Sequence, residues 1–257
     1  MTPDPSPSAA LDFILHVERL YASLIRHASS AGMEPGPTAE PALGGKLLYA
    51  GDLGPDGRAT LVAGNIAGAA SLAATADPGA GKQAIRDGAA DFLVNSLDEA
   101  LRILKNEIRK REAVAVCIAA APEMVECEML ERGVVPDLTS HIELVPETSG
   151  QVLLTWRVDS APAQWLPKLY RIAVDCLESH AGEGADAAVR WLRLAPRYLG
   201  RLAQGVHIVR CNPETANDFI QAAQNAVNRG EIAVQVRIAM KESLNGSEDS
   251  FVLQPPR

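Results

Sequence analysis

The apolar positions of the chain change rhythm twice, and the changes divide it into three parts. Near the amino end Leu11, Ile14, Leu15, Val17, Leu20, Tyr21, Leu24 and Ile25 recur at steps of three and four, which predicts an amphipathic helix over residues 11–31. Residues 32–45 (GMEPGPTAEPALGG) hold four glycines and three prolines and read as a linker. From Lys46 onward, short apolar runs at 46–50, 70–76, 91–95, 112–120 and 134–138 predict five strands. Helical patterns at 58–66, 79–87, 96–111 and 122–132 lie between them. Ser96-Leu97-Asp98-Glu99 forms a capping box, which places a helix start at Ser96. Strands separated by helices make right-handed βαβ units with a parallel sheet.

Past residue 141 the rhythm changes again. Runs at 142–145 and 152–158 predict a strand pair around the turn 146–151 (PETSGQ). Helices are expected at 162–179 and 185–202, a strand at 206–210, a helix at 213–228 behind the Asn212-Pro213 start signal, and a last strand at 231–239. The tail 241–257 is polar and reads as loose. The expected fold class is therefore α/β: a Rossmann-like parallel sheet with helices on both faces over 46–141. An N-terminal helix and linker (1–45) precede it, and a smaller α+β C-terminal region (142–257) follows.

Charge narrows the partners. With 24 Lys and Arg against 32 Asp and Glu, the net charge is −8, which argues against nucleic acid. The longest basic run, Lys105–Arg111, falls at a helix end; it reads either as a solvated, dipole-complementing end or as a phosphate- or partner-binding patch. Cys117, Cys127, Cys176 and Cys211 are scattered, with no CxxC and no histidine at ligand spacing, so no metal site is expected. That pattern suggests reduced thiols in a cytoplasmic protein. The start, MTPDPSPS, is not a signal peptide, and the nine-residue apolar run 113–121 is too short for a bilayer, so no membrane is implied.

Candidate chemistry gathers where expected strands run into helices. The turn 51–57 (GDLGPDG) follows the first strand; glycines there let a backbone approach phosphates, although Pro-Asp-Gly is also an ordinary turn tripeptide. Asp77 stands after the second strand, as a ribose-binding acid or as a helix cap ahead of Pro78. Asp137, Thr139, Ser140 and His141 are expected to follow the fifth strand at the carboxyl edge of the sheet, where such folds place ligands.

Several segments carry a resemblance: Gly44 through Leu48 (GGKLL), Gly57 through Leu72 (GRATLVAGNIAGAASL), Asp77-Pro78, Ala84 through Asp87, Asp91, Leu97 through Leu101 (LDEAL), Leu130 through Asp137 (LERGVVPD) and Thr139-Ser140-His141. Together they resemble the central NAD-binding domain of urocanase (urocanate hydratase), over about residues 44–141. The resemblance implies a tightly held NAD that acts as an electrophile while water adds to urocanate. It makes Gly54, Gly57, Arg58, Asp77, Asp137, Thr139, Ser140 and His141 the candidate cofactor contacts. The turn departs from the family's nearly all-glycine version: Pro55 lacks an N–H, Asp56 adds negative charge, and Arg58 is bulky, although its guanidinium suits phosphate.

The family's catalytic cysteine lies in a loop with histidine, aspartate and glycine neighbours, and none of the four cysteines here has that setting. Cys211, ahead of a helix start, reads as a half-buried cysteine or as an activated thiol. No catalytic residue is assigned. The chain is also shorter than half a typical urocanase. The leading expectation is a urocanase-like, non-catalytic Rossmann protein acting as a scaffold, oligomerisation or regulatory module, as a homo-oligomer (dimer). The alternative is a binder of NAD or another nucleotide, or a lyase-related enzyme of urocanate metabolism.

Overall fold

Alternating apolar runs and glycine turns carry directly into the architecture. A computed structural model describes residues 7–30, 42–140, 144, 150–180, 184–199, 206–242 and 248–256. The chain divides into two compact units. One holds Asp12–Val145 with Ala195–Arg201; the other holds Met1–Leu11, Pro146–Leu194 and Leu202–Arg257.

In the first unit the elements follow in strict alternation: β1 (Leu47–Asp52), α2 (Pro55–Ala67), β2 (Ala70–Ala74), α3 (Pro78–Asp87), β3 (Phe92–Val94), α4 (Leu97–Lys110), β4 (Val114–Ile118), α5 (Pro122–Glu131) and β5 (Leu138–Thr139). The helix before them, α1 (Pro7–Ser30), starts earlier than its stripe suggests, because proline is well tolerated in a helix's first turn. Ile14, Val17, Leu20, Tyr21 and Leu24 of that stripe are buried.

All five strands are parallel and run in the order β3-β4-β2-β1-β5. Side-chain alternation sends Leu47, Tyr49, Leu72, Val116 and Ile118 to one face, where they pack with Leu97, Leu101 and Leu104 of α4 and Val125 and Met129 of α5. The opposite face is covered by α2 and α3: Gly64 sits against Leu48 and Ser71, and Gly81 against Leu93. Because the chain leaves β2 toward one face and β4 toward the other, the crevice of this sheet opens at their carboxyl ends. The capping box at α4 is formed, with Ser96 Oγ accepting from the Glu99 N–H (3.3 Å) and Glu99 Oε2 from the Asn95 N–H (2.9 Å).

One strand moves. The fifth strand, expected at 134–138, is Leu138–Thr139, pairing with Leu48 and Tyr49. Pro136 has no N–H to give a ladder, and Val135 is 83% exposed, so the segment before Leu138 runs over the surface.

The second unit is built on an antiparallel sheet in the order β7-β6-β8-β9, from β6 (Val152–Val158), β7 (Val206–Cys211), β8 (Val236–Lys241) and β9 (Glu248–Leu253). Its helices are α6 (Pro162–Ser179), α7 (Ala185–Leu199, which ends in the first unit) and α8 (Pro213–Asn228). Asn212 Oδ1 caps α8 at the Thr215 N–H (2.7 Å).

One expectation fails in this unit, and another lies outside the described residues. β6 pairs with β7 and β8, while the strand expected at 142–145 falls, Leu144 apart, outside the described residues. The polar tail is not loose: Glu248–Leu253 forms β9 against β8, with Leu253 buried and polar side chains facing out. Its alternation is that of an edge strand, which composition alone hides. Among the described residues no helix is long and apolar enough to cross a membrane.

Trp156, Tyr170, His207 and Phe219 form the aromatic centre of this unit. Trp156 and His207 are directly opposite across β6 and β7, and the Tyr170 hydroxyl meets His207 Nδ1. Burial pushes the His207 imidazole down to about 4. The unfolded chain therefore takes up a proton near the ordinary histidine value of 6.5 before the folded chain does. Stability present above pH 6.5 should fall as the pH drops from there toward 4, by about 2 kcal/mol between pH 7 and 5. All three tryptophans, Trp156, Trp165 and Trp191, lie in this unit, so urea unfolding followed by tryptophan fluorescence reports on it. The acid loss should flatten in His207→Gln; an unchanged slope would refute the assignment.

Candidate functional site

Among the described residues, the carboxyl ends of the strands gather the sequence-derived candidates, Asp137 excepted. β1 carries a register shift between Tyr49 and Gly51, where Gly51 takes φ +73°, a conformation that favours glycine. Ser140, just past β5, places its Oγ 3.4 Å from where a Gly51 Cβ would stand, and the exposed Thr139 precedes it. Gly54 is the N-cap of α2 and offers no side-chain cap; Pro55 and Asp56 occupy the first turn.

Gly57 is required by packing. A Cβ there would lie 1.9 Å from the Asp52 carbonyl oxygen, so the first turn of α2 rests directly on the end of β1. In dinucleotide-binding folds the last glycine of the fingerprint serves this close helix–strand contact.

The electrostatics of the turn run against an anion. Asp56 sits in the first turn of α2, at the positive end of its dipole, where its negative charge opposes an approaching anion. His16 Nε2 stands 3.2 Å from Asp56 Oδ1, without hydrogen-bond alignment. The Asp52 carboxylate borders Gly54, with Oδ2 3.3 Å from a Cβ built there. Arg58, expected to offset these acids, forms an ion pair with Asp87 at the end of α3, and Gln83 Nε2 donates to the same carboxylate (2.8 Å). A phosphate about 4 Å from the Asp52 or the Asp56 carboxylate meets a repulsion of roughly 1–4 kcal/mol. The residues present do not fit a dinucleotide pyrophosphate as an all-glycine turn does.

Asp77 is engaged at its own helix: its Oδ1 accepts from the Gly79 N–H (2.7 Å), capping α3. Asp137 is misplaced in the sequence reading. It precedes β5 rather than following it, and its Oδ2 accepts from the Leu47 N–H (2.8 Å) while Lys46 Nζ lies 3.3 Å from Oδ1. These contacts are at the amino end of β1, the edge opposite the crevice. The late start of β5 causes the shift. His141 lies outside the described residues.

Neither Cys117 nor Cys211 is poised as a nucleophile. Burial, then the nearby Asp52, raises the Cys117 thiol to about 11; burial, then Cys176, raises Cys211 to about 12. The α8 N-terminus therefore does not activate Cys211. Tyr49 donates to Glu126 Oε1 (3.1 Å), and burial together with that carboxylate pushes its phenol upward. Among the described residues no group of three or more His, Cys, Asp or Glu could hold a metal ion.

Sequence reasoning missed Asp52, His16 and Asp87. The Arg58–Asp87 pair joins residues 29 positions apart on different helices and leaves no local signal. Asp52 carried one, since it stands where a continuous buried strand ends, two residues ahead of the Gly54 cap.

Residues 36–143 match the urocanase Rossmann-like domain. The match takes in the whole parallel sheet and leaves the second unit's sheet outside it. A urocanase-type domain is compatible with nucleotide binding as a class of fold; the side chains of its β1 turn set what this copy can accept.

Two substitutions separate packing from ligand roles. Gly57→Ala should destabilise the domain by about 1–3 kcal/mol, since the contact is with backbone that cannot move aside. Gly54→Ala meets only a movable carboxylate and should lose less than about 1 kcal/mol. Chemical denaturation of the two variants checks this, and the reverse order would overturn the packing account.

Proposed function

We propose that this protein uses a urocanase-type Rossmann domain as a scaffold or regulatory module and does not hydrate urocanate. The single observation behind this is the state of the β1 turn. Two carboxylates, Asp52 and Asp56, flank the glycine turn between β1 and α2, and the guanidinium of Arg58 beside it is held by Asp87. Cys117 and Cys211 add support, because a thiol at about 11 or 12 is protonated at neutral pH and a poor nucleophile.

A second reading, binding of NAD or another nucleotide, is favoured by one feature. The Gly57 contact preserves the helix–strand approach on which dinucleotide sites are built.

Thermal unfolding with and without NAD distinguishes the two. Ligand at about a hundred times its dissociation constant would add roughly 2.7 kcal/mol, a readily visible shift. The expected result is no shift with NAD, NADP, ATP or ADP-ribose, and no loss of urocanate ultraviolet absorbance on adding purified protein. A clear shift with NAD, or NAD carried through purification, supports the second reading and removes the first.

A further inference from the structure

Among the described residues, strand β3, at the edge of the parallel sheet farthest from β5, pairs with β4 alone. Between β3 and the neighbouring face of α4 runs an open groove of about 910 Å³, at the upper end of the range of ligand clefts (roughly 300–1,000 Å³). Its walls include Asp91, Phe92, Arg102, Ile103, Asn106 and Arg109. Phe92 is 47% exposed, unusual for an aromatic side chain on a sheet. Arg102, Asn106 and Arg109 are spaced by four and three residues and so share one face of α4.

The charges of this groove are unevenly satisfied. Asp91 Oδ2 accepts from the Ala115 N–H (2.8 Å), and Glu107 is bonded by Lys110 Nζ (2.9 Å) and Asn106 Nδ2 (2.6 Å). Arg102 feels Asp98 only at a distance, since that carboxylate is paired with Arg132. Among the described residues neither Arg102 nor Arg109 is in an ion pair. Two exposed guanidiniums, an exposed phenyl ring and a free strand edge therefore lie together on a chain whose net charge is −8.

We propose that the groove between β3 and α4 binds an extended acidic segment of a partner protein, which adds as a strand beside β3. The edge provides the backbone: the Asp91 N–H is turned inward to the Ala115 carbonyl (2.8 Å), so the groups of Phe92, one residue on, face the free side. Phe92 supplies an apolar contact, and Arg102 and Arg109 supply charge for carboxylates on the segment. A second copy of this chain is the poorer occupant. Two-fold antiparallel pairing of β3 with itself would put both α4 helices on the same face of a continuous sheet, bringing Arg102, Lys105 and Arg109 of each copy together. The surface is separate from the β1 turn, two strands away across β4 and β2, and stands whether or not that turn takes a nucleotide.

Fluorescence anisotropy of the full chain with a labelled ten-residue peptide alternating glutamate and valine tests the proposal. Saturable binding is expected, weakening as salt rises, and at least about tenfold weaker in R102E/R109E. Both side chains are exposed, and an unchanged melting temperature confirms that the variant folds. Methylating the peptide's alternate backbone nitrogens, which keeps every charge, should abolish binding by removing the strand hydrogen bonds. A lysine-for-glutamate peptide should not bind. Absence of binding, equal binding of the methylated peptide, or concentration-dependent self-association lost in R102E/R109E would each overturn the proposal.

Discussion

Everything at the carboxyl edge of the parallel sheet depends on one close approach, that of Gly57 to the carbonyl of Asp52. With no Cβ in the way, α2 starts directly over the end of β1, and its first turn then lies against the strand carrying Leu48 and Tyr49 into the core. Gly64 continues the contact one face further along, against Leu48 and Ser71. Close helix–strand packing by small residues suits a chain with few aromatics, and half of the ten buried positions of α2 are glycine or alanine.

The same approach concentrates charge. Pulling α2 onto β1 brings Asp52, Asp56 and the Arg58–Asp87 pair into one small region. An aspartate in the first turn stabilises a helix, and an Arg–Asp pair ties α2 to α3, so the local choices are good for folding. They are poor for holding a pyrophosphate. A domain can therefore keep the framework of a dinucleotide fold while the side chains at its phosphate position serve the framework itself.

Much of this was legible along the chain. The first four strands of the alternation, the capping box at Ser96-Glu99 and the Asn212 cap are local patterns, set by side chains within four residues of each other, and they appear where the spacing places them. Asp77 was left between cap and ligand, and its bond to the Gly79 N–H answers the first half of that question. Where the reading failed, partners were remote. β5 starts late because it must meet Leu48 across 90 residues of chain, and with it Asp137 moves to the amino edge and bonds the Leu47 N–H. β9 was hidden in a polar tail because an edge strand needs apolar side chains on one face only.

The sequence by itself determined the elements, the parallel βαβ plan and the shortage of glycine in the turn after the first strand, because each is written in residues close along the chain. Only the tertiary structure decided that Arg58 is held by Asp87, that β6 lies at the centre of its sheet, that Asp137 faces away from the crevice, and that Arg102, Arg109 and Phe92 share a free edge. Those outcomes depend on strand order and on helices crossing opposite faces. Side-chain identity limits such choices, and packing the whole domain makes them.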